Sequence, residues 1–164
     1  MALRPIPDPG VLKEADAFKR ASEMINDCSE AIMSVPAVVN AAFALELYLK
    51  SLNIEWQAAD PATLEGKKAW LNSRRSLQKG HVPSRLYNAL DQNLRSDLEE
   101  RYRLSFQGGN YQTLEQNIKV FDGLFQDWRY IFEGQAKSVD LQSLLAVLAF
   151  FSEALNALPQ RWFS

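Results

Sequence analysis

Between Val35 and Leu52 the only plainly polar side chains are Asn40, Glu46, Lys50 and Ser51. A helix that is apolar on nearly every side belongs in the middle of a bundle rather than on its surface. Its two charges, Glu46 and Lys50, stand four residues apart with the acid first, which places them on one face in the favourable order. The pattern predicts a central spine that carries one polar patch.

The remaining helices follow from the same pattern. Leu12, Ala15, Phe18, Ser22, Ile25 and Ile32 approximate a helical stripe over residues 11–33. Ser34 can cap the spine, with Pro36 tolerated in its first turn, and the spine is expected to run to about Trp56. Pro83 suits the start of a third helix, in which Leu86, Leu90, Leu94, Leu98 and Tyr102 recur every four residues until Gly108-Gly109-Asn110. Asn110 or Thr113 can cap a fourth helix reaching Glu133, with Leu114, Ile118, Phe121, Phe125, Trp128 and Phe132 on its apolar side and Gly134 as its stop. The last helix is expected over residues 139–158, capped by Ser138 and stopped by Pro159. Its core stripe is broadened by Val147, Phe150 and Ala154, as a subunit interface would require. Residues 57–82 show no comparable period, although 67–73 can form a short helix. There is no strand pattern and no repeat. The expectation is an all-α, single-domain, up-and-down bundle of about five helices over residues 11–164, behind an N-terminal extension over 1–10.

Composition narrows the function classes. A chain of 164 residues can bury a core without covalent staples. A single cysteine, Cys28, forms no internal disulfide, and one histidine with one cysteine cannot supply the usual zinc set within one chain. Neither metal nor cofactor is expected. The proline-broken start is unlike a secretory signal, and Glu46, Lys50 or Glu153 interrupts the longest apolar runs, so a cytoplasmic protein with no membrane span is expected. Net charge is −2, but Lys67, Lys68, Arg74, Arg75, Lys79 and Arg85 fall in a window without a carboxylate. That window is +6 and leaves −8 for the rest, a distribution that steers an anionic partner.

Phosphate-binding glycine loops and nucleophile–histidine–acid motifs are absent from the sequence. Three groups retain chemical interest. His81 can be a hydrogen-bonded structural residue, against a helix N-terminus or Glu46, or it can exchange a proton near neutral pH. In Asp127-Trp128-Arg129-Tyr130-Ile131-Phe132-Glu133, Arg129 and Glu133 can form a surface pair, or Arg129 can turn inward to bridge Glu46. The basic window, with Lys67, Lys68, Arg74 and Lys79, can be a solvated loop or a phosphate-contacting surface with Trp70 available for stacking.

Three motifs in order carry a family resemblance. They are Ala44-x-Glu46-Leu47-x-Leu49-Lys50 in the spine, Lys79-Gly80-His81 with Leu86-Tyr87 beyond it, and Trp128-Arg129-Tyr130-x-x-Glu133. Together they resemble stand-alone proteins of the HEPN superfamily (higher eukaryotes and prokaryotes nucleotide-binding), over about residues 33–158. The resemblance implies an all-α bundle, frequent homodimers, and members that are endoribonucleases, partners of nucleotidyltransferases, or non-catalytic. Nuclease members carry an Arg, four to six residues, then His; Arg75 and His81 fit that spacing, as do Arg74 and His81. Ser76 after Arg75 is polar but is not the usual Asn, Asp or His, and the pair precedes the third helix rather than opening a late one.

The first expectation is therefore a homodimeric HEPN-like module, binding a nucleotide, RNA or a cognate protein such as a nucleotidyltransferase, and not itself a catalyst. Glu46, Lys50, His81, Arg129, Tyr130 and Glu133 would form its polar cluster. A metal-independent endoribonuclease of toxin–antitoxin or phage-defence type, using His81 and Arg75, is the second. A purely structural helical adaptor is the third.

Overall fold

A computed structural model describes residues 4–28, 34–57, 73–76, 79–105, 112–129, 138–158 and 161–163; for 4–6, 55–57, 73–76, 129 and 161–163 it describes the backbone alone. The protein is an all-α helical bundle. Its elements are β1 (Arg4–Ile6), α1 (Pro9–Asn26), α2 (Ser34–Ser51), β2 (Ile54–Gln57), β3 (Ser73–Ser76), α3 (Pro83–Asn88), α4 (Gln92–Ser105), α5 (Leu114–Val120), α6 (Leu124–Arg129), α7 (Leu141–Ala157) and β4 (Arg161–Phe163).

α2 is the spine that its hydrophobicity predicts. It packs against α1, α3, α6 and α7, and all but Lys50 are buried from Ala44 to Ser51. Ala37, Ala41 and Ala44 are fully enclosed, as is Ala15 on α1, and small side chains let neighbouring helices approach closely. Tyr48, Leu45 and Leu49 are also fully buried, each aliphatic side chain stabilising the fold by about 1.5–3 kcal/mol.

α1 starts two residues earlier than its apolar stripe suggests. Asp8 accepts from Val11 N at 2.9 Å, and Pro9 occupies the first turn, where its missing N–H does no harm. The helix ends at Asn26 rather than near Met33, because the N–H groups of Asp27 and Cys28 close its last turn on Glu23 and Ile25. The spine also stops short of Trp56. Asn53 donates its amide to Leu49 O and Leu86 O, both at 3.0 Å, which terminates α2 and ties it to α3.

The expected third and fourth helices are each divided. Asp91 accepts from Asn93 N at 2.9 Å and so begins α4 after the break at residues 89–91. The four-residue leucine repeat nevertheless keeps its side: Leu86, Leu90, Leu98 and Tyr102 are buried. The fourth helix breaks at Phe121–Gly123, where Gly123 takes φ +82, a conformation that costs a residue with a Cβ about 1–2 kcal/mol. Thr113, one of the two expected caps, forms a capping box with Gln116 at the start of α5. Asp140, not Ser138, caps α7 by accepting from Gln142 N and Ser143 N.

Val147, Phe150 and Ala154 are buried within this one chain, and the Phe150 ring meets Tyr102 of α4 edge-on at 5.0 Å. At these three positions the apolar surface of α7 is therefore covered within the chain.

Two short antiparallel ribbons depart from the expected absence of strands. In one, β1 pairs with β4, matching Arg4 to Phe163 and Ile6 to Arg161. In the other, β2 continues from the end of α2 and pairs with β3, matching Glu55 to Arg75 and Trp56 to Arg74. Of the short helix expected over 67–73, Ser73 is the first residue of β3, and 67–72 lie outside the described residues.

Candidate functional site

The buried acid of the spine defines the site. Glu46 is 1% exposed, and its Oε1 accepts from two cations or potential cations: Lys50 Nζ at 2.5 Å and His81 Nδ1 at 2.8 Å. Lys50 stands one turn further along α2, in the last turn, where a positive charge also complements the helix dipole. His81 arrives from a distant part of the chain. A buried carboxylate loses several kcal/mol of hydration, which only well-placed donors offset. Here both donors converge on one oxygen; Glu46 Oε2 is buried and has no hydrogen-bond partner among the described residues.

The segment carrying His81 is fixed from both ends. Gly80 takes φ +123, a backbone conformation open chiefly to glycine, and turns the chain toward α2. Two residues after His81, Pro83 opens α3. Asp122, from the α5–α6 turn, then accepts from Ser84 N at 2.9 Å and from Ser84 Oγ at 2.6 Å. This clasp anchors the first turn of α3.

Aromatic rings back the imidazole. The His81 ring lies 6.2 Å from that of Phe125, Phe125 stacks on Phe43 at 5.2 Å, and Phe43 meets Phe18 edge-on at 4.6 Å. The outcome is an imidazole with one nitrogen on a buried carboxylate, an apolar wall beside it, and a side chain 49% open to water. Lys50 is 23% exposed at the same place. Such a group can donate a hydrogen bond to an anion or exchange a proton with it.

The structure thus joins three of the residues singled out in the sequence: Glu46, Lys50 and His81. Lys79 is exposed two residues before His81, and Arg85 is exposed on α3. Arg74 and Arg75 are placed by their backbone on β3, in the ribbon that prolongs α2; their side chains are outside the description, as is that of Arg129 at the end of α6. Lys67, Lys68, Tyr130 and Glu133 lie outside the described residues altogether. Among the described residues no group of three His, Cys, Asp or Glu is arranged to hold a metal ion, and no helix is long and apolar enough to cross a membrane.

Sequence reasoning missed Phe43 and Phe125 as the wall, and Asp122 as the anchor. Both belong to contacts between distant segments, and neither leaves a local signature. It also missed a second polar cluster. Asp16 of α1 accepts from Tyr48 of α2 and from Ser152 and Asn156 of α7, joining three helices. Burial raises the Asp16 carboxyl, but the hydrogen bonds from Tyr48, Asn156 and Ser152, with the charge of Lys19, hold it below its ordinary value.

A separate groove of about 440 Å³ involves α4 and the start of α5, and shares no lining residue with the histidine site. Two of its three acids are engaged structurally. Glu99 accepts from Tyr87 Oη, Leu114 N and Glu115 N, and Glu100 pairs with Arg103.

No family model matches the chain, and neither curated proteins nor solved structures provide a match.

Proposed function

We propose that the protein is an HEPN-like helical module that binds a nucleotide or RNA through the phosphate groups, at the site formed by Glu46, Lys50 and His81. The observation carrying this reading is the half-exposed His81 held on Glu46 beside Lys50, at the end of α2 from which the Arg74–Arg75 ribbon continues. Exposed Lys79 and Arg85 flank the histidine in the chain and extend the positive character. The motif resemblance supports the superfamily, a homodimer, and a cognate protein partner such as a nucleotidyltransferase; the single cysteine supports a reducing, cytoplasmic setting.

The test is fluorescence anisotropy with labelled single-stranded RNA and with labelled ATP across a salt series. Phosphate recognition releases counterions, so affinity falls as salt rises, and Lys79→Gln with Arg85→Gln flattens that dependence. No binding to either probe at low salt eliminates the reading.

One observation favours a catalytic second reading. Nδ1 of His81 rests on a carboxylate, which leaves Nε2 for acid–base exchange, and Arg75 falls five intervening residues earlier on β3. A metal-independent endoribonuclease would cleave a mixed RNA pool in excess chelator, and His81→Ala would abolish cleavage. Intact RNA after incubation with folded wild-type protein removes this reading and leaves the binding one.

A further inference from the structure

We infer that Glu46 is a positioning residue that fixes the tautomer of His81, holding the proton on Nδ1 and turning the lone pair of Nε2 outward. Only the use of that nitrogen rests on the proposed phosphate site; the tautomer is argued from the contact geometry and the chemistry of a carboxylate.

Glu46 Oε1 receives Lys50 Nζ at 2.5 Å and His81 Nδ1 at 2.8 Å. The Lys50 ammonium keeps Glu46 as a carboxylate, which has no hydrogen to give, so the Oε1–Nδ1 contact is a hydrogen bond only with the proton on Nδ1. An unconstrained neutral imidazole in water prefers its proton on Nε2. The hydrogen bond made by one ring nitrogen decides the state of the other. The placement is stiff: Glu46 is 1% exposed on the most buried helix, and Gly80 and the Ser84–Asp122 clasp hold the chain on either side of His81. The carboxylate therefore acts through the imidazole rather than on a ligand. A purely structural tie would also attach residue 81 to α2, but it would not require a particular protonated nitrogen.

His81 is the chain's single histidine, so nitrogen-15 labelling of histidine gives one unambiguous ring. Long-range proton–nitrogen correlation spectra recorded at alkaline pH identify which nitrogen bears the proton. Wild type and Lys50→Met should both show the Nδ1–H form. Glu46→Met, which removes the acceptor while suiting an apolar helix, should shift the population to Nε2–H; circular dichroism verifies its fold. Glu46→Gln provides a second folded comparison with the charge removed, in which the Nδ1–H population should decline. A wild-type Nε2–H form, or Nδ1–H persisting unchanged in both Glu46 variants, overturns the inference.

Inorganic phosphate and a short RNA, added separately to the wild type, should shift the Nε2 resonance more than the Nδ1 resonance. A larger shift at Nδ1 also overturns the outward assignment. No shift with either probe refutes phosphate binding at this histidine, while the tautomer result still decides the role of Glu46.

Discussion

Tyr48 donates its hydroxyl to Asp16 Oδ1 at 2.5 Å, joining the spine to α1 across 32 residues of sequence. Ser152 of α7 donates to the same oxygen at 2.7 Å, and Asn156 to the other at 3.0 Å. One partly exposed carboxylate thereby coordinates the three helices that frame the core. Asp16→Ala should cost about 2–3 kcal/mol, since it leaves the buried tyrosine hydroxyl without its acceptor, and Tyr48→Phe about 1–2 kcal/mol. Urea unfolding of the two variants checks the order; equal losses below experimental error would contradict a structural role for the cluster.

The same carboxylate gives acid sensitivity of defined sign. Its folded value lies below the ordinary 3.8, so the unfolded chain takes up the proton first as pH falls. The associated stability is complete above the unfolded value and is lost as pH falls through the folded one. Asp16→Asn should flatten the decline in urea midpoint below about pH 4. An identical acid profile in the variant would show that other carboxylates control the decline.

At the alkaline end, burial and then Asp16 raise the Tyr48 phenol, while burial and then Glu99 raise that of Tyr87. For both, the folded value exceeds the unfolded value of 10.0, so their contribution is present below pH 10.0 and fades as pH rises toward the folded value. Ultraviolet titration should show these two phenols ionising only as helical circular dichroism is lost. Free ionisation near pH 10.0 in a chain that remains folded would contradict their burial.

Gly80→Ala separates conformation from crowding. An added Cβ has nothing within 4 Å, so the cost arises from φ +123 alone, about 1–3 kcal/mol. A stability loss of that size, accompanied by a changed His81 ring environment in nuclear magnetic resonance, is expected. An unchanged melting curve would show that the backbone relaxes there without penalty.

Asp122→Ala tests the clasp on α3. It removes acceptors from both the N–H and the hydroxyl of Ser84 and should cost about 1–2 kcal/mol. Ser84→Ala removes only the hydroxyl bond and should cost less. Hydrogen exchange at Ser84 N should accelerate in Asp122→Ala but much less in Ser84→Ala; equal protection in both would place the anchor elsewhere.

The central helix was legible because nearly continuous hydrophobicity needs no knowledge of partners. The Glu46–His81 contact was partly legible for a related reason: an acid inside an apolar run requires a donor, and the chain has one histidine. The breaks at 89–91 and 121–123 were obscured because the apolar spacing continues across them, although Asp91 and Gly123 mark the positions. β3 was hidden more deeply. Ser73-Arg74-Arg75-Ser76 has no apolar alternation, and its extended form is set by pairing with β2. The Asp16 cluster reaches across 136 residues to Ser152, and no local spacing encodes such a contact.

The β1–β4 ribbon makes the ends of the described chain a clock for folding. Three residues on each side cannot hold a ribbon together alone, and pairing residue 4 with residue 163 closes a loop around the whole bundle. Helical turns and neighbouring-helix contacts have far shorter loops to close. The ribbon should consequently be the last element to assemble and the first to open, so a pair of fluorophores flanking it would time completion of the fold rather than its nucleation.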